Sequence, residues 1–432
     1  MNEVRKTDIL RKIQRFENGE RQRYNKLYEY YIGKQKILNT AKPTGKPNNK
    51  LVTNYAKNIV NNTTGYYLGK PITYTCDNEQ LLNVIADITD YNDDAFHNMQ
   101  IGKDLSVFGR AAELLYIDDD GKIRYAKINP MNLYVSYKDD IDRTIQYALR
   151  WYDTFDDETN VRTRHIEYYT DTDITYYESY NGGGISQIDE KTHYFGQVPI
   201  NIYQNNEDER GDYEDAISLM DAYNVMQSES VNDYQKFADA LLAVKNMLVD
   251  DKTVNDIRDK NILQLVDNGE ASWLVKQVND TYVENIKNRI DKDIYMTTST
   301  VNMSDDNFAN NASGVAIRYK LICMENRVAC TERYFTKGLQ RRFELICNIL
   351  NLKGGYYDYT EIKITFSRNV PQDVGQWATI IQQLSGTVSN ETLLAQLPFI
   401  NNPKEEIERL EQESDYNINL FPSGEMNNGQ KK

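Results

Sequence analysis

The stretch DAISLMDAYNVMQSESVNDYQKFADALL, residues 215–242, decides how this chain is read. Within it Ala216, Met220, Tyr223, Gln227, Val231, Tyr234, Ala238 and Leu241 recur at alternating steps of three and four. That period keeps side chains on one face of an α-helix. The spacing predicts one helix of about 40 Å at 1.5 Å per residue, with a heptad-like repeat suited to packing beside other helices. Residues 243–279 then read as a compact unit, with apolar runs at Ala243–Val249, Ile262–Val266 and Ala271–Lys276. A short polar helix lies near Thr253–Lys260, and Asn268-Gly269 is a hairpin turn between the last two runs. A return helix over 280–296 carries Val283, Ile286, Ile290 and Ile294 on one face. Two helices bracketing a small β unit make a stalk with a tip.

Downstream, Thr297–Asn311 is rich in Thr, Ser, Asn and Asp and has no periodicity. Loops of this length are uncommon inside compact domains and are usually functional or disordered. Ser313 reads as the N-cap of a long helix to about Leu350, about 55 Å at standard rise. Val315, Tyr319 and Ile322 form its first apolar stripe; Phe335, Leu339, Phe343, Ile346 and Leu350 form a second. The stripes are out of phase and Gly338 sits in the second half, which predicts a bend or a change of face. A strand at Ile362–Phe366 follows, then a helix start at Asn402-Pro403 with Glu405 and Glu406 in its first turn. The terminal residues 422–432 are expected to be disordered.

Upstream, residues 7–38 have helical spacing through Ile9, Ile13, Phe16, Leu27, Tyr30 and Tyr31. Lys42–Asn49 is turn-rich, and a second helical run, Leu51–Tyr67, is closed by Gly69 and Pro71. From Ile72 to about Tyr203 the signal is one of strands and turns. Ala112–Ile117 and Lys122–Ile128 flank the hairpin turn Asp118-Asp119-Asp120-Gly121, and further strands are expected at Tyr134–Tyr137, Tyr147–Tyr152, His165–Tyr169 and Thr175–Tyr180. The fold class is α+β.

A net charge of −15 argues against a surface that grips phosphates everywhere. The charge is uneven, with thirteen Lys or Arg between Arg5 and Lys50 against Asp8, Glu17, Glu20 and Glu29. Such an arm suits an acidic neighbour, nucleic acid or a solvated helix face. The four cysteines, Cys76, Cys323, Cys330 and Cys347, form no C-x-x-C pair and suit a reducing compartment. No secretory leader or membrane-length apolar run is present, which predicts cytoplasmic assembly without a membrane anchor.

Catalytic chemistry finds little support. None of the Gly-Lys pairs, at Gly33, Gly45, Gly69, Gly102 and Gly121, continues into Ser or Thr, so the phosphate-cradling loop of an ATPase is missing. A calcium loop around Asp118–Gly121 would need Tyr116 and Lys127 as ligands. His97, His165 and His193 have no zinc-ligand spacing. No metal, cofactor or catalytic residue is expected.

Several ordered segments resemble the portal proteins of tailed phages, in the branch typified by Gram-positive siphophages. They are Tyr30-Tyr31-Ile32-Gly33, Pro47–Leu51 with Asn54-Tyr55, and Gly65–Ile72. Further on come Val198-Pro199-Ile200 with Asn205-Asn206, Leu219–Asn224 and Ala312–Ala316. Each is weak alone; their order over residues 25 to 350 carries the resemblance. It implies a portal fold with an α/β wing (1–214), a two-helix stem (215–242 and 280–296) and a clip (243–279). It implies also a tunnel loop (297–312), a long bent wing helix and strand (313–370) and a reduced crown (371–432). The loop residues Thr297, Thr298, Ser299, Thr300, Val301, Asn302, Met303, Ser304, Asp305, Asp306 and Asn307 are expected to face DNA. Lys287, Arg289 and Lys292 are possible channel cations, with inter-subunit pairing as the other reading. Asp256, Arg258 and Lys260 are expected to dock partners at the clip. The implied partners are further copies in a ring, usually of twelve, non-specific double-stranded DNA, the terminase large subunit, a head-completion adaptor, scaffold and major capsid protein. The location is the portal vertex of the virion. Two alternatives stay open on the residues: a metal-dependent nucleic-acid-processing enzyme using the acidic turns, and another virion connector component.

Overall fold

Gly19, at φ −116° and ψ −96°, interrupts the N-terminal run and separates helix α1 (Glu3–Asn18) from α2 (Glu20–Tyr31). The computed structural model describes residues 3–44, 46–238, 241–245, 268–274, 280–302, 314–369, 381–394 and 403–420, with 379, 397 and 400. After an extended stretch, α3 (Tyr55–Leu68) starts where the Asn54 side chain accepts the Lys57 N–H, four residues later than the apolar pattern suggests.

The region from Ile72 is not all strands, as the sequence pattern implies. Behind β1 (Thr73–Thr75) come two helices, α4 (Glu79–Tyr91) and α5 (Asp94–Phe108). Asn78 caps α4 by accepting the Leu81 N–H, and Leu81 and Ile85 bury one face. Helix α5 buries residues all round, among them Asn98, Gly102, Asp104 and Ser106. A helix enclosed on every side shows no amphipathic stripe, which is why its period was illegible. Gly109 closes it at φ +81°, and a Cβ there would lie 2.0 Å from the Glu209 carbonyl oxygen.

Strands then follow in series: β2 (Arg110–Ile117), β3 (Ile123–Ile128), β4 (Leu133–Tyr137), β5 (Ile145–Asp156), β6 (Val161–Tyr169), β7 (Asp173–Tyr180), β8 (Ser186–Thr192) and β9 (Ile200–Gln204). They form two antiparallel sheets, ordered β3-β2-β9 and β4-β5-β6-β7-β8. The expected hairpin is present: the Asp118 carboxylate accepts the N–H groups of Asp120 and Lys122, and Gly121 takes φ +74°. Those backbone donors also hold the Asp118 carboxyl below its ordinary range.

Helix α6 (Ile217–Ala238) ends before the expected Leu242, because Leu241 already opens β10 (Leu241–Lys245). Strand β10 pairs antiparallel with β11 (Glu270–Leu274), from Leu241↔Leu274 to Lys245↔Glu270. Asn268 takes φ +67°, in keeping with a turn, while Thr253–Lys260 and Ile262–Val266 lie outside the described residues. The return helix is α7 (Asp280–Thr297), and the long helix is α8 (Gly314–Leu352). Short elements finish the chain: β12 (Lys363–Thr365), paired with β1, then α9 (Asn390–Leu394) and α10 (Pro403–Leu420). The terminal residues 422–432 lie outside the description.

Two cores position everything else. One gathers α4, α5, β2, β3 and α8 through Leu81, Ile101, Leu115, Phe335, Leu339 and Phe343. The other joins α1–α3 to Leu149, Trp151 and Ile166 of the five-stranded sheet, and reaches Met220 on α6 and Ile294 on α7. The helix pair α6–α7 is therefore rooted in the same apolar cluster as the N-terminal helices.

The second expected stripe of α8 is buried at Phe335, Leu339, Phe343 and Ile346. The first is not. Tyr319 and Ile322 are 72% and 50% exposed, and Leu321, Met324 and Val328 face inward in their place. The inward positions run in phase with Phe335 and Leu339, so the core-facing stripe has no change of face. Gly338 allows a close approach: a Cβ on it would lie 2.2 Å from the Tyr203 ring of β9.

Candidate nucleic-acid interface

Helix α6 is held by a row of polar side chains rather than by an apolar stripe alone. Asn224, Ser228 and Asn232, four residues apart, are all buried. Their side-chain oxygens accept the backbone N–H groups of Thr53 (2.8 Å), Leu51 (3.0 Å) and Asn49 (2.7 Å). The match is geometric. Four helical residues rise about 6 Å and two extended residues about 6.6 Å, so alternate N–H groups of a strand meet successive turns of a helix. Asn224 also donates to Gln35, and the Tyr30 hydroxyl donates to Asp221 at 2.7 Å. Sequence reading missed this zipper because it sought apolar periodicity; an i, i+4, i+8 row of Asn, Ser and Asn was the available signal.

Helix α7 is fixed against α6 and α3 by aromatic and polar contacts. The Tyr55 hydroxyl donates to Asp291 at 2.6 Å, and its ring meets Tyr223 and Tyr295 edge-on at 5.2 and 5.9 Å. Burial, with the Asp291 hydrogen bond, raises the Tyr55 hydroxyl far above its ordinary pKa. Of the three candidate channel cations, Lys287 turns inward: its side chain is 12% exposed, donates to Glu284 at 2.9 Å and sits over the Tyr223 ring. Arg289 and Lys292 are exposed.

The loop after α7 begins as an anchor. The Thr298 hydroxyl donates to the Ile294 carbonyl at 2.9 Å and pairs with the Thr300 hydroxyl at 2.6 Å. Both threonines are buried, and Ser299 between them takes φ +49°. Val301 packs on the core, and the Asn302 amide donates to Asp291 at 3.4 Å. Thr297 is exposed at the helix end. Met303, Ser304, Asp305, Asp306 and Asn307 lie outside the described residues, as do Asp256, Arg258 and Lys260. The structure thus fixes where the loop leaves the body.

On the far side of the loop, arginines secure α8. Arg327 donates to the Thr63 hydroxyl at 2.5 Å and lies 3.5 Å from Asp212. Arg368, in the strap after β12, bonds Glu325 and Glu332, while Tyr66 donates to Glu325 at 2.6 Å. Arg342 reaches β2 and α5, donating to Glu113, to Asp94 at 2.8 Å and to Asn98 at 3.0 Å. Glu113 further accepts from Asn201 and Tyr203 of β9, each at 2.8 Å, and shares a 2.7 Å hydrogen bond with His97. These acids are spent on structure. Among the described residues no group of three His, Cys, Asp or Glu could hold a metal ion, and no helix is long and apolar enough to cross a membrane.

A rooted helix pair, a loop leaving between two anchors and a long helix clamped by buried arginines describe a building block of an assembly. The chain belongs to the SPP1 Gp6-like phage portal protein family, whose profile matches residues 10–420. It is 26% identical to the portal protein of Bacillus phage SPP1 over 389 residues, covering 85% of this chain and 76% of that one. It is 22% identical to the portal protein of Clostridium phage phiCD119 over 423 residues, covering 90% and 91%. Its role is accordingly structural and non-enzymatic: it forms the channel at the capsid vertex through which the phage genome is packaged and ejected. Several residues of the segments that carried the resemblance make such contacts: Tyr30, Asn49, Leu51, Tyr55, Tyr66, Asp221 and Asn224 each take part in a hydrogen bond described above, and Asn205 accepts one from the Thr331 hydroxyl of α8.

Proposed function

We propose that α6 and α7 are the stem of the channel wall, that residues 243–279 form the clip, and that 297–312 form a tunnel loop whose part beyond the Thr298–Thr300 anchor touches DNA. Residues 1–214 with 313–370 make the wing, and 371–432 a reduced crown. The observation that carries this reading is the α6–α7 pair. It is rooted through Met220 and Ile294 in the N-terminal core, continues past α6 into β10–β11, and delivers the chain through Thr298 and Thr300 into the loop. Twelve copies in a ring would repeat every contact around the duplex. DNA that must move in both directions needs weak, sequence-independent contacts, which phosphate-directed charges provide. Arg289 and Lys292 are the exposed cations of α7 for that role, with Asp305 and Asp306 limiting how tightly the loop holds. The clip docks the terminase large subunit during packaging and a head-completion adaptor afterwards; scaffold and major capsid protein meet the ring from the shell side.

Deleting Asn302–Asn307 tests the loop. Rings should assemble and DNA packaging should fail; loss of ring assembly would make the loop a structural element. The clip is tested by Asp256→Lys, Arg258→Glu and Lys260→Glu together in a pull-down with terminase and with adaptor. Unchanged binding would move the docking surface elsewhere.

A further inference from the structure

The end of α7 does not run straight on into the loop; it turns back on itself. The Ser299 N–H donates to the Met296 carbonyl at 3.1 Å, and the Thr300 N–H donates to the Tyr295 carbonyl at 3.0 Å. Ser299 takes φ +49°. Such a bond pair around a left-handed residue is a common helix ending, but the left-handed position usually holds glycine, and a side chain there is disfavoured. Beyond the turn Thr300 is buried, Val301 packs on the core, and the Asn302 amide donates to the Asp291 carboxylate at 3.4 Å. Asp291 lies seven residues before Thr298, which puts it two turns back on the same side of the helix, about 10 Å away. Residues 298–302 therefore double back along α7 and close as a hook on Asp291. Both oxygens of that carboxylate are in use: Oδ2 accepts from Asn302, and Oδ1 accepts the Tyr55 hydroxyl of α3 at 2.6 Å.

We propose that Asp291 is a positioning residue for the loop: holding Tyr55 with one oxygen and Asn302 with the other, it ties the loop's point of departure to the root of the helix pair. This inference rests on the reading of 297–312 as the tunnel loop. The turn is disfavoured at Ser299, so the contacts beyond it have to hold the reversal. Packing of Val301 has no fixed direction. The Asp291–Asn302 hydrogen bond supplies one, and the Tyr55 bond keeps the carboxylate turned to receive it. A contact meant to be made at a set distance needs its first support locked by a second; here the second support is Tyr55.

Exchanging the two side chains tests it. Asn302→Asp sets two carboxylates against each other and should release the hook. Hydrogen exchange at the Thr300 amide should then rise about tenfold, the scale of losing a hydrogen bond to a charged group. DNA packaging into procapsids built with this variant should slow at least about fivefold. Asp291→Asn together with Asn302→Asp swaps donor and acceptor. The new amide can still accept from Tyr55 through its oxygen and donate across the hook through its nitrogen. Exchange and packaging should therefore return to the level of the unaltered chain, a rescue that a purely structural role for Asp291 does not give. Unchanged Thr300 exchange in Asn302→Asp, or a double variant no better than the single one, overturns the inference. The deletion of Asn302–Asn307 separates it from the loop reading. If Asn302→Asp opens the hook yet packages at the full rate while the deletion does not package, this inference falls and the loop reading stands. If the deletion also packages at the full rate, both fall.

Discussion

Arg342 and Glu113 form an ion pair with no solvent exposure on either side chain, Nη2 lying 2.8 Å from Oε2. Burial alone would raise the Glu113 carboxyl. The Arg342 charge and the His97 hydrogen bond outweigh it and hold the group well below the usual carboxylate range. The guanidinium also lies over the Tyr125 ring at 4.4 Å. The pair links α8 to β2 and, through Asn201 and Tyr203, to β9. It fixes the long helix on the three-stranded sheet.

Arg342→Met should therefore destabilise the subunit strongly, by about 3–5 kcal/mol, because it leaves the Glu113 charge buried without its partner. Adding Glu113→Gln should recover part of that loss, since the two residues share one network. Urea denaturation of the single and double variants measures both. Equal stabilities for Arg342→Met and the unaltered chain would mean that other donors neutralise Glu113.

Most elements with a one-sided pattern were legible in the sequence, the β2–β3 hairpin, the helix pair α6–α7 and the second stripe of α8 among them; α4 was the exception, although Leu81 and Ile85 share one of its faces. The elements enclosed on all sides were not. Helix α5, buried around Asn98, Asp104 and Ser106, has no stripe to read. The first stripe of α8 was seen but assigned to the core, because apolar spacing does not say which of two faces meets the body. At the candidate interface the loop's composition was legible. Its anchoring by Thr298 and Thr300 was not, since burial of a threonine hydroxyl depends on an acceptor that only the fold supplies, here the Ile294 carbonyl.

The zipper on α6 predicts local protection. Ser228→Ala and Asn224→Ala each remove the acceptor of a backbone N–H, at Leu51 and Thr53. Each should cost about 1–3 kcal/mol, the range for leaving a buried donor unpaired. Hydrogen exchange should accelerate at the affected amide, while Ser228→Thr, which keeps a hydroxyl, should retain protection. Unchanged exchange at Leu51 in Ser228→Ala would mean that water replaces the serine.

Gly338 predicts an intolerance of size. Its added Cβ would stand 2.2 Å from the Tyr203 ring, and Tyr203 is itself held by its hydroxyl bond to Glu113. The ring cannot step aside without breaking that bond. Gly338→Ala should lower stability by about 1–3 kcal/mol despite alanine's better helix propensity, as read by the thermal midpoint. A stabilised variant would show that α8 can lift from β9 at no cost.

Asp153 gives a pH signature. Burial opposes its charge, but Arg164 (2.8 Å) and Arg162 (2.5 Å) prevail and bring its carboxyl down to about 2. The folded pKa is below the unfolded value of about 4, so the protonated form is disfavoured in the folded state. The contribution is thus fully present above about pH 4 and is lost as pH falls through about 2. Asp153→Asn removes the charge at every pH. The variant should be less stable than the unaltered chain by on the order of 1–2 kcal/mol at pH 7, an upper range given partial exposure of the pair. Urea melts at pH 7, 5.5 and 2.5 should show the gap constant between the first two and narrowing at the third. A gap that stays the same at pH 2.5 would mean that the arginines act through packing on β5 and β6 and not through the Asp153 charge.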